Sequence, residues 1–590
     1  MRRKLSVSAG LASVAVLPAM LLFYGRPGEL DSSPPGPPPP DLNRLAVGVL
    51  HVHSRYSDGA GDIRTISGAA SEAGLDFWVL TDHQRLDGLS EEGEGYGDGV
   101  LRLIGVEVST DAGHIVGLDL PPTPMRFGRD PVEVFRQIEQ LGGFALAAHP
   151  DADRAGFAWS GWPLAGYEGI EVFNSYSAYR RQGVLKSLAY LFLSPFWETS
   201  WLTWQLDWDP VLLDTWSQAL AERKLSIWTG VDAHGGIDIV GEYAVPWPSY
   251  ERLFRTARNY LLLEEPLNGV VRHDRGLIYG ALRDGRGYVA LDDYADARGF
   301  RFWGEASDRR WPMGSDIVFD ESSEPVMLRA TIPAQLDAEL RFFLDGVPLA
   351  ATRTGALSTP VDRPGVYRAE ARLGVRRVGA AAYKPWILSN PISILPQAVI
   401  EDRLEANRVP SPPSLPGDAE LDRGSALRFQ AERNSGCRAM EVRTVGSGER
   451  SFRASFDLGV PEPGAPADLL TPFARCAAAD RSSRDLSGYS GIRFRTRADA
   501  IYRVSLELHD PNPRSSADGM EPWTVSFLTS QDWQEVVVPF DRFRSAGPGS
   551  DGLLDLADIG AMLFLFDTWN ARPGTAGVIE VEGFSFWVGP

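Results

Sequence analysis

At 590 residues the chain is long enough for roughly three or four domains of ordinary size, and a composition of 44% hydrophobic and 23% charged residues excludes a wholly disordered protein. The net charge of −20 argues against generic binding to nucleic acid or to anionic lipid. Two cysteines in such a chain exclude a disulfide-rich scaffold and a cysteine-built zinc site, so any metal must be held by His, Asp and Glu.

In chain order, a basic start at Arg2, Arg3 and Lys4 precedes an uncharged, mostly apolar stretch over residues 5–24. This reads as an export signal or an N-terminal membrane anchor, with the rest of the chain outside the cytoplasm. The run SSPPGPPPP at 32–40 is then a semi-rigid spacer.

From residue 45 short apolar runs alternate with helical patterns: 46–52, 77–80, 101–108, 115–120, 144–148, 169–173 and 226–231. The alternation predicts an α/β fold, either a parallel barrel or an open doubly wound sheet. One connecting helix is punctuated by Asp130 as N-cap, Pro131 in the first turn and Gly142-Gly143 as the stop; a second is expected over 62–74.

Polar residues fall where these runs end. His51-Val52-His53 closes the first, with Ser57-Asp58-Gly59 just beyond; Thr81-Asp82-His83 closes the second and Gly105-Val106-Glu107 lies in the third. His114 opens the fourth, His149-Pro150 ends the fifth, and Asp232-Ala233-His234 ends the seventh. Catalytic groups of an α/β barrel gather at the C-terminal ends of its strands, so these residues are expected on one rim. Only eight histidines occur in the chain, and His273 and His509 alone lie outside this pattern. Nine imidazoles and carboxylates exceed what one ion takes, so two or three divalent ions such as Zn2+, Mn2+ or Fe2+ are expected, with a carboxylate such as Glu107 bridging. Ions of this kind acidify water and clamp developing charge on a phosphoryl or carbonyl oxygen, and the chemistry expected is hydrolysis. Asn174, at the end of the sixth run, is expected on the same rim, orienting substrate or capping the loop.

The motifs H-x-H-S-x-x-S-D-G from His51, L-T-D-H to His83, G-V-E to Glu107, A-H-P around His149 and G-V-D-A-H to His234 resemble the PHP (polymerase and histidinol phosphatase) superfamily over about residues 45–285. The resemblance implies a distorted seven-stranded β/α barrel, a trinuclear metal centre and phosphoesterase chemistry. Carried onto this chain, one ion takes His51, His53, Glu107 and Asp232, a second Glu107, His114 and His149, and the third Asp58, His83 and His234. The Glu107 to His114 spacing is short, and this compact form looks like the branch containing carbaryl hydrolase, as do the GVYRAE and PWILSNPI stretches at 365–370 and 385–392.

A further stretch between the sixth and seventh runs carries Trp197, Trp201, Trp204 and Trp208 at helical spacing, a packing face or a hydrophobic lid. The glycines over 93–99 (GEGYGDG) are too acidic to cradle phosphate and read as a turn. From about residue 300 the periodicity becomes two, and a β-sandwich is expected. The last segment is again all-β, and its WQEVVVPFDRF stretch resembles galactose-binding-like jelly rolls, some of which bind carbohydrate. Trp523, Trp533 and Trp569 are its candidates for sugar stacking, or core packing, and Cys437 and Cys476 lie in the same segment.

The expected organisation is therefore signal or anchor (1–25), Pro-rich linker (26–42), metallohydrolase barrel (43–298), β-sandwich (299–398), linker (399–418) and jelly roll (419–590). The expected partner is a small-molecule ester, cut by a tethered, extracytoplasmic phosphoesterase. The alternatives are a carbamate or carboxyl esterase, and a cell-surface glycan-binding protein with an inactive barrel.

Overall fold

The computed structural model describes residues 44–84, 86, 93–154, 156–180, 207–240, 243–245, 248–293, 295–320, 324–333, 336–377, 380–411, 413–422, 427–445, 450–461, 472–516, 518–545 and 549–589. The expected signal or anchor and spacer, and Trp197, Trp201 and Trp204, lie outside the described residues. No helix among the described residues is long and apolar enough to cross a membrane. The protein is rich in sheet and forms two compact units.

In the first unit all seven apolar runs are strands: β1 (Leu45–Val52), β2 (Phe77–Leu80), β3 (Val100–Ile104) with its continuation β4 (Val106–Thr110), β5 (Gly113–Leu118), β6 (Phe144–Ala147), β7 (Gly169–Asn174) and β8 (Ser226–Ala233). Their apolar residues are buried on both faces, which is why they read as continuous runs instead of alternating ones. The pairing closes on itself. β1 is parallel to β2 and β2 to β3; β6, β7 and β8 run parallel, and β8 returns to β1 through Leu50↔Gly230 and Val52↔Ala233.

Two features depart from the expected all-parallel arrangement. β5 is antiparallel to both neighbours, because Asp111 and Ala112 turn the chain into a hairpin that pairs Glu107 with Val116 and Ser109 with His114. The helical complement is also sparse. Among the described residues α1 (Ile63–Glu72) follows β1, capped by the Asp62 carboxylate on the Thr65 amide at 2.8 Å. α2 (Pro131–Gln140) starts as expected, with Asp130 Oδ1 accepting from the Val132 amide at 2.9 Å. Yet residues 121–140, which the sequence places inside the barrel segment, cluster with the second unit: the Arg126 amide donates to the Asn570 carbonyl and the Arg572 amide to that of Pro124. Among the described residues no regular β/α repeat is seen around the ring.

β9 (Arg258–Leu262) lies antiparallel on the first half of β1, and β10 (Gly287–Ala290) on β9. β10 in turn pairs with the strand Ala380–Ser389, so the ring and the β-sandwich after residue 300 share one sheet and one apolar core, from Val47 and Tyr260 to Phe302, Phe342 and Ile387.

The second unit holds two six-stranded antiparallel sheets around Phe452, Phe494, Phe564 and Phe584. Cys437 and Cys476 are bonded, with Cα atoms 5.5 Å apart, and tie a strand of one sheet to a strand of the other. Closing a loop of this length restricts the unfolded chain. Replacing both cysteines by serine is expected to remove about 2–4 kcal/mol from unfolding of this unit, read as a lower urea midpoint, with the first unit's transition unchanged.

Candidate metal centre

The residues that end the strands meet at one end of the ring. Glu107, buried on β4, is the hub. Its Oε1 lies 2.6 Å from His114 Nδ1 and 3.0 Å from His149 Nε2; its Oε2 lies 3.2 Å from His51 Nε2, His53 Nε2 and His83 Nδ1. Asp232, at the end of β8, faces His53 Nε2 at 3.3 Å and His51 Nε2 at 3.6 Å. Asp58, on the loop after β1, faces His234 at 3.3 Å, His53 at 3.4 Å and His83 at 3.5 Å. Nine expected ligands are thus brought together. His51, His53 and Glu107 are sealed from solvent, whereas Asp58 is 53% exposed and marks the mouth.

The electrostatics follow from this packing. Burial works against charge on His51, His53, Glu107 and Asp232, but their pairings outweigh it. For His53 burial is overcome by Asp232 and Glu107, which push its imidazole up to about 10. His51 is likewise raised well above its usual value against burial, by Glu171, Glu107 and Asp232. Glu107 and Asp232 are held well below the usual carboxylate range, burial again opposing and His51 leading the neighbours that lower them.

The donor set fits divalent cations. Four groups have ligand atoms within 4.8 Å of one another: His51–Glu107–His149, His51–His53–Asp232, His53–Asp58–His234 and His53–His83–Glu107. Buried ring nitrogens His51 Nε2, His53 Nε2 and His149 Nδ1 lack a hydrogen-bond partner, an arrangement that costs free energy unless another ligand is met. The grouping differs in detail from the expected partition: His53 joins Asp58 and His234, and His114 spends Nδ1 on Glu107.

Backbone geometry is strained at the same place. His51, His149 and Asp232 have φ values of 66°, 26° and 47°, in the left-handed region. Such conformations cost about 1–3 kcal/mol each in a non-glycine residue and persist where the surroundings over-determine them.

Of the two roles open to Asn174, the structure shows the capping one: it is fully buried, donates from Nδ2 to Glu171 Oε2 at 3.0 Å, and accepts the Ser177 amide at 3.0 Å, so it caps the helix Ser175–Arg180. His273 and His509 stand apart, paired with Asp274 and Glu507. Two buried acids escaped sequence reasoning. Glu171 accepts from His51 Nδ1 at 2.6 Å; its signal was a lone charge in the apolar run of β7. Asp82 accepts from the Ser54 amide at 2.8 Å, the Ser54 hydroxyl at 2.6 Å and the Ser57 hydroxyl at 2.5 Å, holding the loop that carries Asp58.

No family model matches the chain. Over 156 residues it is 30% identical to an uncharacterized protein of Methanocaldococcus jannaschii, a match covering 24% of this chain and 86% of that protein. The chain belongs to that protein's family. Solved structures similar to it include a two-domain protein from Bacteroides vulgatus containing a predicted PHP-like metal-dependent phosphoesterase, at 15% identity over 60% of this chain and all of that one, with a TM-score of 0.30. A family 11 carbohydrate-binding module from Clostridium thermocellum, in complex with a β-1,3-1,4-mixed-linked tetrasaccharide, matches at 18% identity over 29% of this chain and 95% of that one, with a TM-score of 0.22.

A bound metal would compete with protons for His51 and His53. A histidine raised on folding contributes stability that is full below its unfolded value of about 6.5 and is lost as pH rises through the folded value, about 10 for His53. Bound metal needs neutral imidazole, so its stabilisation grows as those protons leave. The gain in melting temperature on adding Zn2+ or Mn2+ is expected to increase between about pH 6 and about pH 8.5, measured by differential scanning fluorimetry.

Proposed function

We propose that the protein is a metal-dependent hydrolase of the PHP type, cleaving phosphoesters at a centre of two or three divalent ions. One observation carries the reading: five imidazoles converge on Glu107, Asp58 and Asp232 join them with His234, and buried ring nitrogens are left without hydrogen-bond partners. His51, His53, Glu107 and Asp232 would hold the innermost ion, Glu107 with His149 and His114 a second, and Asp58 with His83 and His234 the outermost. When bound, such ions supply Lewis-acid stabilisation of a phosphoryl oxygen and a nucleophile acidified to neutral pH.

The chain's own residues do the rest. Glu107 faces His114 and His149 with one oxygen and His51, His53 and His83 with the other, so it would be shared between ligand sets, and Asp82 holds the loop on which Asp58 approaches from the open side. Phe157 packs on His114 at 4.5 Å, and the exposed Arg154 guanidinium lies 4.2 Å over its ring. In a chain of net charge −20 this puts a cation beside the centre, where it favours an anionic substrate.

A second reading, cleavage of carbamate or carboxyl esters, is favoured by the tight β4–β5 hairpin, which realises the compact Glu107–His114 spacing as a direct bond of 2.6 Å. Of the three tryptophans considered for glycan contact, Trp523 is buried and bonded to Asp510, and Trp533 lies under Arg495 and Arg497. A glycan role rests on Trp569, 46% exposed. The reading puts the enzyme outside the cytoplasm, which the Cys437–Cys476 bond supports, because reducing compartments keep such thiols apart.

The test is turnover of p-nitrophenyl phosphate beside 1-naphthyl methylcarbamate by the Zn2+- or Mn2+-loaded protein. The reading expects faster phosphate cleavage, a loss of at least about 100-fold in Asp232→Ala, and a rise in KM for the phosphate ester alone in Arg154→Ala. Faster carbamate cleavage with Arg154→Ala silent would favour the second reading; no turnover of either by metal-loaded protein would count against both.

A further inference from the structure

We infer that Glu171 is a positioning residue for the metal centre: its carboxylate sets the proton position of His51 and pins the backbone of His149. This inference rests on the metal reading above and adds a residue that carries no ligand atom in it.

The geometry is specific. Glu171 is 1% exposed on β7, a strand that supplies none of the expected ligands. Oε1 lies 2.6 Å from His51 Nδ1, and Oε2 accepts from the His149 amide at 2.8 Å and from Asn174 Nδ2 at 3.0 Å. A carboxylate only accepts, so Nδ1 of His51 carries the hydrogen and Nε2, which faces Glu107 and Asp232, is the nitrogen left to bind a cation. His51 and His149 are two of the three site residues with positive φ. One carboxylate thus holds a ring and a peptide that would relax if released. The sequence of β8 makes room for it: a Cβ built on Gly230 would overlap the Glu171 carboxylate, which gives the glycine of the G-V-D-A-H motif a steric reason.

Replacing Glu171 by glutamine keeps the shape but introduces an NH2 group. That group must oppose either the His149 N–H or the His51 Nδ1–H, and in the second case it drives the hydrogen of His51 to Nε2.

The experiment is Zn2+ titration of the full chain against a chromophoric chelator for wild type, Glu171→Gln and Asn174→Ala, with 15N-histidine spectra of the Zn2+-loaded forms. Expected are Zn2+ affinity about 10- to 100-fold weaker in Glu171→Gln, about five-fold weaker in Asn174→Ala, and a selective shift of the His51 Nδ1–H resonance in both. Wild-type affinity with an unmoved His51 resonance in Glu171→Gln would overturn the inference. Should Glu171→Gln fail to fold, an Asn174→Ala protein of wild-type affinity and spectrum would overturn it instead. A folded wild type that takes up no Zn2+ would overturn the metal reading itself, and the inference with it.

Discussion

The structure depends on holding like charges together in a dry place. Five imidazoles lie within 3.2 Å of the two oxygens of Glu107, and His51 and His53 are closed to solvent. Removing such groups from water is costly unless opposite charge is in direct contact. Carboxylates and imidazoles are therefore interleaved so that each lies against a group of opposite tendency. The same interleaving leaves ring nitrogens directed at shared points, which is the arrangement a cation completes.

Ring closure explains how residues spread over positions 51–234 reach one place. β1, β2 and β8 deliver their polar residues where their buried runs end, so register decides the site: Val52 opposite Leu80 and Ala233 puts His53, Thr81 and His234 at one level. A slip of one residue would turn a ligand from the centre to the outside. The antiparallel β5 serves the same end, because only a hairpin returns His114 to within 2.6 Å of Glu107 after seven residues. Strain at His51, His149 and Asp232 is accommodated because the hydrogen bonds around them leave few alternatives.

Much of this was legible in the sequence, and for physical reasons. All seven strands showed as apolar runs because they are buried on both faces, and the ligands showed as histidines and acids at their ends. The direction of β5 was not legible from apolar content, which is the same for parallel and antiparallel strands; Thr110-Asp111-Ala112-Gly113 was the turn signal that marked it. For Asn174 orienting substrate and capping both stayed open, because position alone cannot show that a side chain turns back to a buried acid. Glu171 hid inside β7, where a charge among Ile170, Val172 and Phe173 is itself the sign of a buried partner. The allegiance of residues 121–140 to the second unit rests on backbone pairing with Asn570 and Arg572 that no local pattern encodes. That Cys437 and Cys476 meet could not be read from their spacing either.

The central claim is that the converging imidazoles and carboxylates form a metal centre. Anomalous diffraction from crystals of the full chain grown with Mn2+ tests it most directly. The account requires two or three anomalous peaks within ligand distance of Glu107, one of them shared by His51, His53 and Asp232. A well-ordered site with no peak, its imidazoles bonded to the carboxylates as they stand, would contradict it.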